Sequence, residues 1–179
     1  MADGQPFLPH SADRLTLERG GQPGWCGPAA IALATGCGYA RACELLRHVA
    51  PDRYAGQRDI VTAYWRDVVA AVRLGGLPAE PLPVRPKATP RRLAAQALVS
   101  LAPVPRPPTP RGPTLLALAR RGGLEPGLYL VRVTGHFLLL TLHGFGLAQV
   151  HDNRLCGAAL SAHSHGRCRV THLARLLAA

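Results

Sequence analysis

The chain has 179 residues, enough for one domain with a sizeable core, and its 47% hydrophobic and 17% charged residues exclude a disordered chain. No apolar run reaches the roughly 18 residues of a membrane span, and no charged start with an apolar core marks a signal peptide. The formal charge is +11, with Lys87 the one lysine among 21 basic residues. The stretch 81–124 holds no acid but carries Arg85, Lys87, Arg91, Arg92, Arg106, Arg111, Arg120 and Arg121. Such a surface attracts polyanions without specificity. No nucleic-acid-binding module accompanies it. Five cysteines at irregular spacing, with no export signal, fit a reduced cytoplasmic setting better than a disulfide framework.

Residues 1–20 read as a polar lead-in that Phe7, Leu15 and Leu17 pin to the body. A Gly/Pro-rich turn, Gly21 to Gly24, then delivers Cys26 to the first turn of an apolar helix over about Cys26–Thr35. Pro28 suits the opening of that helix and Gly36 its stop. A second helix spans about Tyr39–Val49, with Ala42, Leu45, Leu46 and Val49 on one face and Pro51 at its end. Cys37 and Cys43 read as packing residues. A third helix is expected over Arg58–Leu74, striped by Ile60, Tyr64, Val68 and Val72. Leu77 to Pro86 is proline-rich and extended, suited to a sheet edge. Thr89 and Pro90 cap a helix running to about Leu101. Residues 103–113 form a Pro/Arg-rich loop, and a short helix follows over about Thr114–Arg121.

The period then changes to that of strands: Leu128–Val133, Phe137–Leu142 and Leu147–His151, joined by short turns as an antiparallel meander. A terminal helix is expected from about Thr171. Helices first and a small antiparallel sheet afterwards make an α+β fold.

Cys26 is the candidate nucleophile, because unpaired N–H groups and the helix dipole at a helix start favour a thiolate. His136 opens one strand and Asp152 closes the next. With the intervening turn centred on Gly144, the two stand directly opposite one another, within reach of an imidazole–carboxylate hydrogen bond. Asp152 is the sole acid after Glu125. His143, in the turn, and His151, on the opposite face, are the rival bases. The chemistry that fits is thiol acyl transfer, with His136 as base and Asp152 as orienter. The backbone N–H of Cys26 and the side chain of Gln22 are the candidate oxyanion donors. This reading needs no metal or cofactor. A separate spacing, Cys156, His163, His165 and Cys168, offers zinc-type ligands in no standard knuckle pattern.

The motif Gln22-x-x-x-Cys26-Gly27-Pro28-Ala29-Ala30, with Gly135-His136 before an apolar strand and Asp152 sixteen residues on, resembles the papain-like cysteine peptidase superfamily. The nearest likeness is to its C39-like branch, which includes peptidase domains that cleave after double-glycine leaders. Ala34-Thr35-Gly36 and Gly127-Leu128-Tyr129 also resemble small papain-like proteins encoded by bacteriophages. The resemblance covers about 21–36 and 127–153. It implies a Cys-bearing helix packed on an antiparallel sheet that carries His and Asp, a peptide or protein substrate, and a host-cytoplasmic or virion location. Three departures stand out: Gln22 lies close to the cysteine, Asn153 stands where proline is usual, and the interval of 110 residues from Cys26 to His136 is long for the branch. A non-catalytic binding protein on the same scaffold, using the basic surface 81–124, is the alternative.

Overall fold

A computed structural model describes residues 11–84, 112–121 and 123–177. The expected helix from Thr89, and the Pro/Arg-rich loop up to residue 111, lie outside them. The architecture is α+β: several helices and an open antiparallel sheet of six strands. The helices are α1 (Ala12–Glu18), α2 (Cys26–Thr35), α3 (Tyr39–Val49), α4 (Pro51–Tyr54), α5 (Trp65–Leu74) and α6 (Leu115–Arg120). The strands are β1 (Ala79–Leu82), β2 (Gly127–Val133), β3 (His136–Leu142), β4 (Ala148–His151), β5 (Ala158–Ala159) and β6 (Val170–Leu176), in the order β1-β6-β2-β3-β4-β5. None of the described helices is long and apolar enough to cross a membrane.

Helix α2 matches its expected bounds, and Gly36 ends it in the left-handed conformation at φ 72°. Pro28 through Leu33 are all buried, so the helix is covered on every side rather than on one stripe. It packs between α3, α5 and β3. This layer buries Ile31, Leu33, Leu46, Ile60, Val68, Val72, Leu130 and Leu139 together. A second cluster, on the opposite side of the sheet, holds Leu115, Tyr129, Val131, Leu138, Leu140, Val150, Val170 and Leu173. With both faces covered, β3 is apolar almost throughout rather than alternating.

Three expectations need correction. The lead-in contains a helix, α1, whose N-cap Ser11 accepts the Arg14 N–H. Leu15 is buried as expected, but Leu17 is 77% exposed. Glu18 at the end of α1 accepts the Tyr39 N–H at 2.8 Å and so caps α3 from outside.

The third helix begins at Trp65 rather than Arg58. Residues 56–64 run as irregular chain, and Ile60 is buried from it without a helix. A polar network supports this: buried Asp67 accepts from Tyr54 at 2.9 Å and pairs with Arg53, while Tyr54 Oη accepts the Tyr64 N–H at 3.2 Å.

The expected terminal helix is strand β6, which lies between β1 and β2. Val170 and Leu173 face one core and Ala174 and Leu176 the other, across an irregularity beside Arg132 and Val133. A strand buried on both faces and bent by a bulge shows no clean alternation, and helical spacing mimics it. The extended segment after Leu77 does form an edge strand, β1.

Candidate active site

The three candidate residues come together from three separate elements. Cys26 is the first residue of α2, His136 the first of β3, and Asp152 immediately follows β4. The glycine after the cysteine has a steric role. A Cβ on Gly27 would stand 2.4 Å from the Cβ of Ala63, so only glycine lets the helix start pack there.

Asp152 reaches His136 by a register other than the expected one. The β3–β4 pairs run from Leu139↔His151 to Leu142↔Ala148. The turn is therefore centred on Phe145, with the His143 N–H donating to the Leu147 carbonyl at 2.8 Å. Phe145 itself has φ 63° between two glycines. The pairing is displaced by two residues, which preserves the face, so His136 and Asp152 meet diagonally. His136 Nε2 and Asp152 Oδ2 are 2.8 Å apart.

Asp152 is 2% exposed. Its Oδ1 accepts the backbone N–H groups of Arg154 and Leu155, both at 2.7 Å. Its Oδ2 accepts from His136 and also from His165 Nε2, again at 2.8 Å. Burial alone would raise the carboxyl pKa, but the His136 hydrogen bond, the two backbone donors and the imidazolium charge hold it far below the usual range. Burial likewise works against the His136 imidazolium. The bonds to Asp152 and Cys26 and the charges of both outweigh it and raise His136 to about 9.

With Nε2 committed to Asp152, Nδ1 is the ring nitrogen left for the thiol. Burial pushes the Cys26 thiol up. Hydrogen bonds from His136 and from the Phe137 and Gly27 N–H groups, with the imidazolium charge, bring it below its ordinary value. Cys43, by contrast, is raised by burial. The two shifts run in the direction of a thiolate–imidazolium pair, and Asp152 holds the imidazole.

These residues line a cleft of about 520 Å³ together with Trp25, Val61, Gly135, Asn153, Arg154, Leu155, His163 and His165. Trp25 and Val61 give it an exposed apolar rim. Gln22 is exposed and is not among the lining residues. The rival histidines are engaged elsewhere: His143 Nε2 pairs with Gln149 Oε1 at 3.0 Å, and His151 Nδ1 accepts the Gly157 N–H at 3.0 Å. Asn153 donates to the Gly24 carbonyl at 2.7 Å, tying the loop before Cys26 to the end of β4.

Among the described residues, the spacing Cys156, His163, His165 and Cys168 does not fold into a ligand set. His165 joins His136 and Asp152 instead, and these three are the described group whose donor atoms cluster tightly enough to suit a metal ion. Sequence reasoning missed His165 as a member of the site, since it stands in a turn 13 residues beyond Asp152 with no periodic signal. Compared with protein-family models, with curated proteins and with solved structures, the chain matches none.

Proposed function

We propose that the chain is a papain-like cysteine hydrolase, most simply a peptidase acting on a peptide or isopeptide bond. The observation that carries this reading is the convergence of Cys26, His136 and Asp152 on one cleft, with His136 Nε2 bonded to Asp152 Oδ2 at 2.8 Å. The resemblance of the motif around Cys26 and His136 to papain-like peptidases agrees with it.

In the first step the Cys26 thiolate attacks the substrate carbonyl carbon, and the carbonyl π electrons move to oxygen. The backbone N–H of Cys26, free at the helix start, stabilises that oxyanion. Gln22 stands outside the cleft lining, so its side chain takes no part in holding the oxyanion. His136 gives its Nδ1 proton to the leaving amine as the C–N bond breaks and a thioester forms. It then takes a proton from water, which attacks the thioester and releases the acid, restoring the thiolate–imidazolium pair. Throughout, Asp152 holds the imidazole tautomer and stabilises its charge.

Iodoacetamide alkylation followed cysteine by cysteine across pH tests this. Cys26 reacts fastest well below the free thiol pKa of about 8.5, and His136→Ala removes the advantage. A Cys26 no faster than exposed Cys156 rejects the reading.

A further inference from the structure

Asp152 Oδ2 accepts two imidazoles at equal distance, and the proposed relay uses only one of them. His165 Nε2 lies 2.8 Å from the same oxygen that binds His136. Its ring also stacks on the His136 ring, with centroids 4.8 Å apart and planes 23° from parallel.

The turn that presents His165 is constrained from several directions. It spans Ala162–Gly166, and Ser161 opens it with a reciprocal cap: Ser161 Oγ accepts the His163 and Ser164 N–H groups, and Ser164 Oγ accepts the Ser161 N–H at 2.8 Å. Ser164 Oγ also donates to the Ala159 carbonyl at 2.6 Å. Gly166 sits so close to the Ser161 carbonyl that a Cβ there would come within 2.2 Å of it. His165 itself is held at φ 62°, a conformation that side-chain-bearing residues rarely adopt. Backbone cost of this kind persists where surrounding contacts over-determine it, and such sites cluster at functional centres.

We infer that His165 is a positioning residue of this site, which fixes Asp152 by sharing its Oδ2 and buttresses the face of His136. The inference rests on Cys26, His136 and Asp152 acting as nucleophile, base and orienter. Its physical consequence concerns charge. A second N–H on Oδ2 draws off part of the carboxylate charge that would otherwise act on His136 alone. His165 therefore loosens the hold of Asp152 on the His136 proton, which the base must both accept and release. The other charged or titratable groups facing the pair are Cys26 from α2, Arg154 beyond β4 and His163 from the same turn. Asp152 is the one carboxylate among the described lining residues.

The test is an NMR titration of the His136 Hε1 proton in the wild type, His165→Phe and His165→Gln. Phe keeps the stacked ring and loses the donor, while the Gln amide can restore an N–H to Oδ2. In His165→Phe the His136 midpoint rises by about half a pH unit or more, and in His165→Gln it stays with the wild type. A Phe variant that titrates with the wild type, or a Gln variant that shifts as far as Phe, overturns the inference. Should the Phe variant not fold, the tautomer decides. Long-range ¹H–¹⁵N spectra of the wild type must show the proton of neutral His165 on Nε2, and a proton on Nδ1 overturns the proposal. Failure of the hydrolase reading shows separately, as an unreactive Cys26 in the wild-type alkylation profile.

Discussion

Asp152 is the residue on which the site's electrostatics converge. A buried carboxylate that accepts two backbone N–H groups and two imidazoles is stabilised only while it is ionised. Its folded-state pKa is depressed, so its contribution to stability is present above the unfolded carboxyl value and lost as pH falls through that value toward the folded one. Guanidinium unfolding of the wild type and Asp152→Asn at pH 6 and pH 3 should show this. The wild type is the more stable at pH 6, and the gap narrows at pH 3. A gap of equal size at both values would mean that the carboxylate is not held ionised by the fold. The same variant leaves His136 without a counter-charge while the amide N–H groups face two imidazoles. Cys26 alkylation at pH 6.5 then drops by at least about tenfold, and its acid limb moves up. The thiols provide internal controls. Cys156 is exposed and Cys43 is buried with a raised pKa, so neither exposure nor burial alone reproduces a low-pH reactive Cys26.

At the scale of elements, the start of α2 is fixed by contact rather than by a cap, since Trp25 at the N-cap offers no side-chain acceptor. Gly27 against Ala63 supplies that contact. Gly27→Ala overpacks it and costs about 1–3 kcal/mol even though alanine is the better helix former. Adding Ala63→Gly should recover much of the loss, and chemical denaturation of the four members of this cycle measures the coupling. Independent, additive losses would refute the contact. Which elements were legible follows from similar considerations. Helices α2 and α3 declare themselves because Pro28, Gly36 and Pro51 punctuate them and the apolar spacing is local. The β2–β3 hairpin is legible from Thr134-Gly135, whose glycine takes φ 76°. The seven residues from Arg58 to Tyr64 mislead because Ile60 keeps a helical phase with Val68 while the chain there is held by Tyr54 and Asp67, partners no local window contains. Strand β6 misleads because both of its faces are buried. In the site, Cys26, His136 and Asp152 could be read from residue type and chain order. His165 could not, because only the folded turn brings it to Asp152.

At the scale of the molecule, the cleft is a seam between the helical half and the sheet, and its geometry depends on how the loop before Cys26 is held across that seam. Each half contributes one hydrogen bond. From the helices, Tyr39 Oη accepts the Trp25 N–H at 3.0 Å, and burial keeps that phenol protonated by pushing it up to about 12. Gly24 adds a close approach, since a Cβ there would lie 2.5 Å from the Tyr39 ring. From the sheet, Asn153 donates to the Gly24 carbonyl, across 129 positions of sequence. The loop before Cys26 is thus held by an amide placed one residue after the carboxylate that binds His136. Moving the end of β4 moves both. Asn153→Ala should cost about 1 kcal/mol of stability, the usual worth of one hydrogen bond. Its effect on Cys26 should be disproportionate, because a displacement of about 1 Å at the nucleophile is enough to cost on the order of a hundredfold in rate. Tyr39→Phe, which removes the acceptor from the other side, should act in the same direction. Thermal unfolding beside the alkylation profile separates the two effects. A loss of melting temperature with an unchanged Cys26 profile would show that the loop is only stabilised, and not aimed, by the two halves it joins.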